Sequence, residues 1–245
     1  MLVLAIDTTS EHGGVALFRD TERLALVRNS GTCGYSVTLF QAVDRAFAEA
    51  GTKLFTPALG LQHIDLFAVA NGPGSFTGIR TGLAATQGWA TALRRPVVGV
   101  SVLQAMAAQA PSAAGFVAAI MDARRGEFYV GLFRRDAEGL ASVPQEEGAA
   151  FVAEPETLFD LLVKRRDTGL NADGFTCVIR ENDLAAQAVR SQFSNRFEWQ
   201  TVADCPLESI ARLAVESHRN GKTQAPAELD ACYIRRSDAE LNWHV

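Results

Sequence analysis

The feature that most constrains the fold of this chain is a glycine-rich turn set between two buried strands. The apolar run "IDLFAVA" (64–70) leads directly into "NGPGSFTGIRTG" (71–82), and "PVVGV" (96–100) follows. Between the turn and the second run, apolar residues recur at helical spacing from Ile79 to Leu93. Strand, turn, helix and strand form a βαβ unit, so at least part of the sheet is parallel.

The segments before that unit predict a meander and one further helix. Three short apolar runs, in "MLVLAIDTTS", "GGVALF" and "RLALV", are separated by turn-like residues and indicate antiparallel strands. Phe40, Val43, Phe47 and Ala50 then repeat at helical spacing, and Gly51 suits the end of that helix. The sequence therefore predicts an α/β fold with a mixed sheet flanked by helices.

The second half of the chain repeats this pattern more weakly, which is compatible with a duplicated, two-lobed fold. The segment "GFVAAIMDARRGEFYVGLF" (115–133) predicts two strands, and the poorly periodic stretch 134–153 is interpreted as loop. We expect an N-terminal lobe over 1–103, with the C-terminal segment as a candidate addition, and a C-terminal lobe over 104–245. Further helices are expected at 156–165, 184–193 and 207–219.

Bulk composition limits the classes of function. The chain has 245 residues, of which 48% are hydrophobic, enough to bury a sizeable core. A formal charge of −5 with dispersed arginine pairs argues against a free-standing nucleic-acid binder, because phosphate neutralisation needs a concentrated basic face. We find no signal peptide and no apolar run of about 18 residues, and the four cysteines are scattered, so the expected location is the cytoplasm.

The glycine turn matches no phosphate-binding motif completely. A P-loop requires a lysine that is missing after Gly78, and a dinucleotide fingerprint requires a glycine where Thr77 stands. What remains is a turn in which Gly72 and Gly74 adopt positive φ and Ser75 or Thr77 caps the following helix. Its backbone N–H groups would also suit an anion, so a structural and a binding role both stay open.

Asp7 is the best single acid, because it ends the first predicted strand and is followed by two hydroxyl residues. It either positions a metal–phosphate group or caps the turn at residues 10–13, and both interpretations remain open. The candidate nucleotide or anion site therefore comprises Asp7, Thr8, Thr9, Gly72, Gly74 and Ser75.

The helix after the turn carries a strip of small residues at Gly78, Gly82, Ala85, Gly88 and Ala92. Each glycine within a helix costs about 0.5–1 kcal/mol relative to alanine, so close packing must compensate. That packing lies either inside the chain or across a subunit interface.

Other catalytic constellations are missing from the sequence. The four histidines have neither H-E-x-x-H nor H-x-x-x-H spacing, and there is no G-x-S-x-G elbow. We therefore predict no catalytic residue, no metal site and no cofactor belonging to the chain itself.

Five segments, in family order over nearly the whole chain, resemble the TsaB (YeaZ) family. They are "LAIDTTSEHGGVALF", "NGPGSFTGIRTGLAATQGWATAL", "PVVGVSVLQAMA", "AAIMDARRGEFYVGLF" and "CYIRRSDAE". The resemblance implies a two-lobed, actin-like ATPase fold of the ribonuclease H-like (ASKHA) class. It further implies a non-catalytic subunit that binds and activates the catalytic paralogue TsaD, with the ATPase TsaE, for threonylcarbamoyl transfer to N6 of adenosine 37 in ANN-decoding tRNAs.

The same resemblance implies an interface, because in this family the two N-lobe helices pack against their counterparts in the partner. It also implies a homodimer when the chain is alone, contact with tRNA only through the complex, and ATP or ADP bound weakly or only in the complex. A membrane is not expected as a partner. The implied partner-binding residues are Leu39, Phe40, Val43, Phe47, Ile79, Gly82, Leu83, Ala85, Thr86 and Ala90.

An alternative function also stays open. The "DTTS" segment (7–10) and the glycine turn suit an independent ATP-dependent phosphotransferase of the actin-like class. Tight binding and turnover of Mg-ATP by the isolated chain would favour it. A peptidase, the label that such proteins sometimes inherit, has no support, because neither a zinc-ligand pair nor an activated nucleophile is present.

Overall fold

A computed structural model describes residues 1–29, 33–56, 58–110, 115–134, 144–167 and 175–235 of the chain. These residues form two compact units. The first unit comprises residues 1–105 and 205–232, and the second comprises residues 106–204 and 233–245. None of the described helices is long and apolar enough to cross a bilayer.

The first unit is built on a five-stranded mixed sheet with the strand order β3-β2-β1-β4-β5. The meander β1-β2-β3 is antiparallel, and β4 and β5 run parallel to β1, as the sequence predicts. The strands are β1 (Leu2–Asp7), β2 (Gly14–Arg19), β3 (Glu22–Arg28), β4 (Leu66–Gly72) and β5 (Val97–Ser101).

Helices cover the sheet of the first unit on both faces. Helix α1 (Tyr35–Lys53) packs on β2 and β3, and helix α2 (Phe76–Leu93) packs on β4. Their apolar stripes join alternate strand residues such as Leu4 and Ile6 in one buried core. Helix α6 (Leu207–Arg219) packs against β1, β4 and β5, and the short helix α3 (Val102–Ala107) follows β5.

The second unit repeats the strand order of the first. Its sheet runs β11-β10-β6-β7-β8, with β9 also paired to β7, so a hairpin is again followed by parallel strands. Helices α4 (Pro155–Asp167) and α5 (Leu184–Phe193) connect its parallel strands. The strands are β6 (Phe116–Arg124), β7 (Glu127–Arg134), β8 (Gln145–Glu146), β9 (Phe151–Ala153), β10 (Phe175–Arg180) and β11 (Glu198–Val202). The sequence pattern of a duplicated α/β fold is therefore present in the structure.

Most element bounds agree with the sequence, and the exceptions have local causes. Helices α5 and α6 span the predicted residues. Helix α2 begins at Phe76, three residues before the first residue of its apolar spacing, because Ser75, one of the two predicted caps, caps it. The predicted loop 134–153 contains the short strands β8 and β9, which complete the edge of the second sheet, and its residues 135–143 lie outside the described part of the chain.

The chain does not divide at a single point. Residues 205–232, part of the C-terminal segment that the sequence offered as a candidate addition to the N-terminal lobe, belong to the first unit. The physical reason is the apolar face of α6, where Leu207, Ile210 and Ala214 are fully buried. That face packs on β1, β4 and β5, in the sheet of the first unit.

This assignment of α6 predicts a local effect of Ile210→Ala. Removing the buried side chain costs about 2–5 kcal/mol. We expect backbone amide exchange to accelerate in β1, β4 and β5 but not in β6 or β10. The matched control Leu162→Ala, in the buried face of α4, should produce the reverse pattern. Equal acceleration in both sheets by Ile210→Ala would contradict the assignment.

Candidate functional site

The glycine turn lies at the carboxyl end of β4 and closes onto the segment that follows β1. Gly72 and Gly74 have φ values of +121° and +157°, which side chains rarely adopt. A Cβ atom on Gly74 would lie 2.4 Å from the carbonyl oxygen of Thr9, and one on Gly72 would lie 2.7 Å from that of Cys232. The predicted turn conformation is therefore confirmed, and its glycines permit the backbone to approach other parts of the first unit.

The first turns of α2 lie directly against Thr8. A Cβ atom on Gly78 would be 2.0 Å from the Thr8 carbonyl oxygen, and one on Gly82 would be 2.3 Å from Thr8 Oγ1. The Thr8 hydroxyl donates to the Gly78 carbonyl at 2.7 Å, and the Ser75 amide donates to the Thr9 carbonyl at 2.7 Å. These two glycines therefore serve packing inside the chain.

The remaining small residues of α2 have different surroundings. A Cβ atom on Gly88 would meet no atom of the described residues within 4 Å, and both Gly88 and Ala92 are exposed. Ala85 is half-buried. The small-residue strip thus divides into an internal part next to Thr8 and an external part nearer the carboxyl end of the helix.

Asp7 is fully buried, and only one of its carboxylate oxygens is satisfied within the described part of the chain. Its Oδ1 accepts from the amide of Thr9 at 2.9 Å and from the Thr9 hydroxyl at 2.7 Å. Its Oδ2 has no hydrogen-bond partner among the described residues, and neither does Asn71 Oδ1 at the end of the neighbouring strand β4. Asp7 therefore orders Thr9, while the turn at residues 10–13 closes through the Gly13 amide and the Ser10 carbonyl.

The unsatisfied carboxylate oxygen of Asp7 is an acceptor, so the carboxyl end of β1 suits a cation or a hydrogen-bond donor better than a bare anion. The candidate residues Asp7, Thr8, Thr9, Gly72, Gly74 and Ser75 do come together at the carboxyl ends of β1 and β4. However, the Ser75 side chain is committed to the amide of Gly78 as the helix cap.

Tyr35, the first residue of α1, packs against the same region at the carboxyl end of β1, which we call the Asp7 corner. Its hydroxyl donates to the Ser10 carbonyl at 2.7 Å and would collide with a side chain at Gly13. Burial, followed by the negative charge of Asp7, raises the pKa of Tyr35 well above that of a free phenol. The phenol therefore stays neutral and keeps its proton for the Ser10 carbonyl.

The residues implied as partner-binding lie mainly inside the first unit. Of the ten, Phe40 is 56% exposed and Ala85 is half-buried. The other eight are buried: Leu39, Val43, Phe47, Ile79, Gly82, Leu83, Thr86 and Ala90. This part of the interface is corrected, because the helical periodicity that selected these residues identifies the stripe packed on the chain's own sheet.

The outer side of the same two helices nevertheless carries apolar residues. Val37 is 63% exposed, one turn before Phe40 on α1. The Phe40 ring meets Trp89 of α2 edge to face at 5.4 Å between centroids, and Gly88 lies exposed beside it. We refer to Val37, Phe40, Ala85, Gly88 and Trp89 as the α1–α2 face.

Sequence reasoning missed Val37 and Trp89 as members of this face. The spacing of Val37 three residues before Phe40 was the available signal.

At the amino end of α2, Phe76 is 43% exposed and the Arg80 guanidinium lies 3.7 Å from its ring centroid. Among the described residues there is no group of three His, Cys, Asp or Glu side chains that would hold a metal ion.

Comparison with known proteins gives a consistent picture. A family model described as TsaD, tRNA N6-adenosine threonylcarbamoyltransferase, matches residues 34–155. The Escherichia coli K12 tRNA threonylcarbamoyladenosine biosynthesis protein TsaB is 33% identical over 162 residues, covering 65% of each chain. The protein of the same name from Bacillus subtilis 168 is 33% identical over 134 residues, 55% of this chain and 56% of the relative. The chain thus spans somewhat less than two thirds of the length of these curated relatives.

A solved structure extends the likeness to almost the whole chain. It is a crystal structure from Pseudomonas aeruginosa of an uncharacterized protein described as similar to the peptidase YeaZ, with a TM-score of 0.70 and 26% identity. The match covers 96% of this chain and 99% of that one. With the two mixed sheets flanked by helices, it confirms the predicted actin-like α/β fold class.

The division of the glycine strip predicts opposite effects of two alanine substitutions in one helix. Gly78→Ala places a methyl group against the Thr8 carbonyl and should destabilise the protein, because the backbone must move apart. Gly88→Ala meets open space and should stabilise it by about 0.5–1 kcal/mol through helix propensity. Thermal unfolding of both variants measures the difference. If Gly78→Ala were as stable as Gly88→Ala, the contact with Thr8 would not be a close one.

Proposed function

Because this chain belongs to the TsaB (YeaZ) family, we propose that it is a partner subunit in the synthesis of threonylcarbamoyladenosine at adenosine 37 of tRNA. In this proposal it binds and activates a TsaD-like catalytic subunit, together with a TsaE-like ATPase. The catalytic subunit transfers threonylcarbamoyl to N6 of the adenosine in ANN-decoding tRNAs. The chain itself supplies a docking surface and contacts tRNA only through the complex.

The observation that carries the proposal is the exposure of the α1–α2 face. Val37 and Phe40 leave 63% and 56% of their surfaces in water, although both stand on a helix whose other side is packed in a core. Burying an aliphatic or aromatic side chain of this kind contributes about 1.5–3 kcal/mol. Gly88 leaves open space on α2 beside Trp89, the residue that the Phe40 ring contacts, so a helix of the partner would be able to approach closely.

The geometry of the glycine turn favours docking over independent phosphoryl transfer. A phosphate held at this turn would need room against its backbone N–H groups. The carbonyl oxygens of Thr8 and Thr9 lie where side chains of Gly78 and Gly74 would stand, and the Ser75 amide already donates to Thr9. The turn therefore packs directly against the residues that follow β1, which leaves no room for a phosphate. It leads into α2, the helix that contributes Ala85, Gly88 and Trp89 to the α1–α2 face.

One observation keeps the alternative, an ATP-dependent phosphotransferase, open to test. Within the described part of the chain, the buried Asp7 Oδ2 has no hydrogen-bond partner. A carboxylate oxygen that binds the hydration shell of a divalent cation would be in this state before the cation binds. Under this alternative Asp7 would hold the cation of Mg-ATP, and the metal would neutralise phosphate charge. The chain would supply one oxygen to such a cation, Asp7 Oδ2.

The docking proposal predicts the effect of Phe40→Asp. A charge in the centre of the α1–α2 face should weaken binding of the cognate TsaD-like subunit about 30-fold, and threonylcarbamoyl transfer to tRNA by the reconstituted complex should fall with it. Titration of labelled chain with the purified catalytic subunit measures the affinity. Because Phe40 is 56% exposed and loses mainly its edge-to-face contact with Trp89, the melting temperature of the free protein should fall by only a few degrees.

Two control variants separate docking from folding. Phe55→Asp changes a residue that is 93% exposed beyond the carboxyl end of α1, and it should leave binding unchanged. Val43→Ala removes part of the buried stripe of α1, so it should lower stability but not affinity. Equal affinity of the Phe40→Asp variant and the native chain would contradict the proposal.

The alternative function is separated by calorimetry with Mg-ATP on the isolated chain. We expect no tight binding and no turnover, because the glycine turn is closed by Thr8 and Thr9. Tight binding that Asp7→Asn abolishes, accompanied by ATP turnover, would favour the phosphotransferase instead. The Gly88→Ala variant is the matched control, since its position lies in open space far along α2 from the turn.

A further inference from the structure

A second charged side chain has buried atoms without a hydrogen-bond partner among the described residues, and it lies in the second unit at the carboxyl end of β10. The side chain of Arg180 ends this strand and is only 6% exposed. Its Nε and Nη2 atoms are buried and have no hydrogen-bond partner among the residues that the structure describes. Removing a guanidinium from water without a partner costs several kcal/mol, so such groups are normally paired with an acceptor.

The immediate neighbours of Arg180 on the sheet are apolar. Arg180 pairs with Val202 of β11, and the register Val178 to Ala119 places Met121 of β6 beside it on the other side. Val202 and Met121 are each 5% exposed. Neither of these side chains offers an acceptor to the guanidinium.

Two carboxylates at this end of the sheet, those of Asp183 and Asp204, are committed elsewhere. Asp183 accepts with both oxygens from backbone amides, those of Ala186 at 2.9 Å and Asp122 at 2.8 Å. Asp204 accepts from the backbone and side-chain amide groups of Asn182. These acids order the loops after β6, β10 and β11, and their oxygens are engaged with N–H groups other than those of Arg180.

The two unsatisfied atoms of Arg180 are the pair that binds an oxyanion side-on. Nε–H and one Nη2–H of a guanidinium point in parallel and match two oxygens of a carboxylate or phosphate. The position also fits, because ligands of open α/β sheets bind beyond the carboxyl ends of parallel strands.

Gln200 adds an acceptor on the same face of the sheet. It pairs with Val178, two residues before Arg180 on β10, so both side chains project from one face. Its Nε2 donates to the Gln109 carbonyl at 3.3 Å, while its Oε1 is buried without a donor from any described residue. A ligand that meets both residues must offer two acceptor oxygens and one hydroxyl.

We propose that Arg180 and Gln200 bind a small oxyanion that carries a hydroxyl group, namely hydrogen phosphate. Arg180 takes two of its oxygens, and Gln200 Oε1 accepts from the hydroxyl. The site lies in the second unit, so it is separate from the corner around Asp7 and does not depend on the proposed docking function.

The test uses the full chain and inorganic phosphate as the probe. In Tris-chloride buffer at pH 7 and constant ionic strength, phosphate should bind in calorimetry and, at tenfold its dissociation constant, raise the melting temperature by about 3 °C. Arg180→Met should abolish both effects. Because the substitution replaces an unpaired buried charge by an apolar side chain, this variant should be at least as stable as the native chain in chloride alone.

Three further measurements test how Arg180 and Gln200 contact the phosphate. Arg180→Lys keeps the charge but loses the parallel pair of N–H groups, so it should weaken phosphate binding about tenfold or more. Arg190→Met, which removes an arginine of α5 bonded to the Thr201 hydroxyl, is the matched control and should respond as the native chain does. Sulfate, which has the same shape but no hydroxyl at this pH, should bind less tightly than phosphate.

Defined outcomes would overturn the proposal. An equal rise in melting temperature with phosphate in the native chain and in Arg180→Met would mean a general salt effect. A loss of several degrees by Arg180→Met in chloride would mean that the guanidinium already has its partner within the fold. Sulfate binding as tight as that of phosphate would refute the hydroxyl requirement and the role of Gln200.

Discussion

The close contact between Thr8 and the first two turns of α2 is the constraint on which the rest of the first unit depends. Gly78 and Gly82 have no side chains because the Thr8 backbone and hydroxyl occupy that space. The contact joins the carboxyl end of β1 to the turn after β4, which are neighbouring parallel strands. It fixes where α2 lies on the sheet, and therefore which side of α2 is core and which side, with Gly88 and Ala92, faces outward.

The two units show how one topology supports two kinds of polar corner. Both have a hairpin followed by parallel strands, and in both, buried polar atoms without a partner among the described residues lie where parallel strands end. In the first unit these atoms are acceptors, Asp7 Oδ2 and Asn71 Oδ1, whereas in the second they include the donors of Arg180. A cation or donor therefore suits the first corner, and an oxyanion suits the second, although the strand order is shared.

Much of the fold was predictable from local sequence patterns, and the candidate site was predictable only in part. The βαβ unit, the meander and the helices α5 and α6 follow from periodicity, because burial on one face repeats with the period of the element. The positive φ of Gly72 and Gly74 follows from the residue type. That Asp7 Oδ2 and Arg180 Nε and Nη2 have no partner among the described residues was not predictable, since this depends on which atoms other segments bring near them.

The sequence by itself determined that two amphipathic helices and a glycine turn flank a mixed sheet, because hydrophobic spacing and glycine conformations are local properties. Only the tertiary structure decided which apolar helix positions remain exposed to water. Leu39, Val43 and Ile79 share the apolar pattern expected of an interface, yet they are packed on the chain's own strands, while Val37 and Phe40 remain in water. Apolar residues at helical spacing indicate that a helix has an apolar side. Only the packing of the sheet against the helix determines whether that side is already buried within the chain.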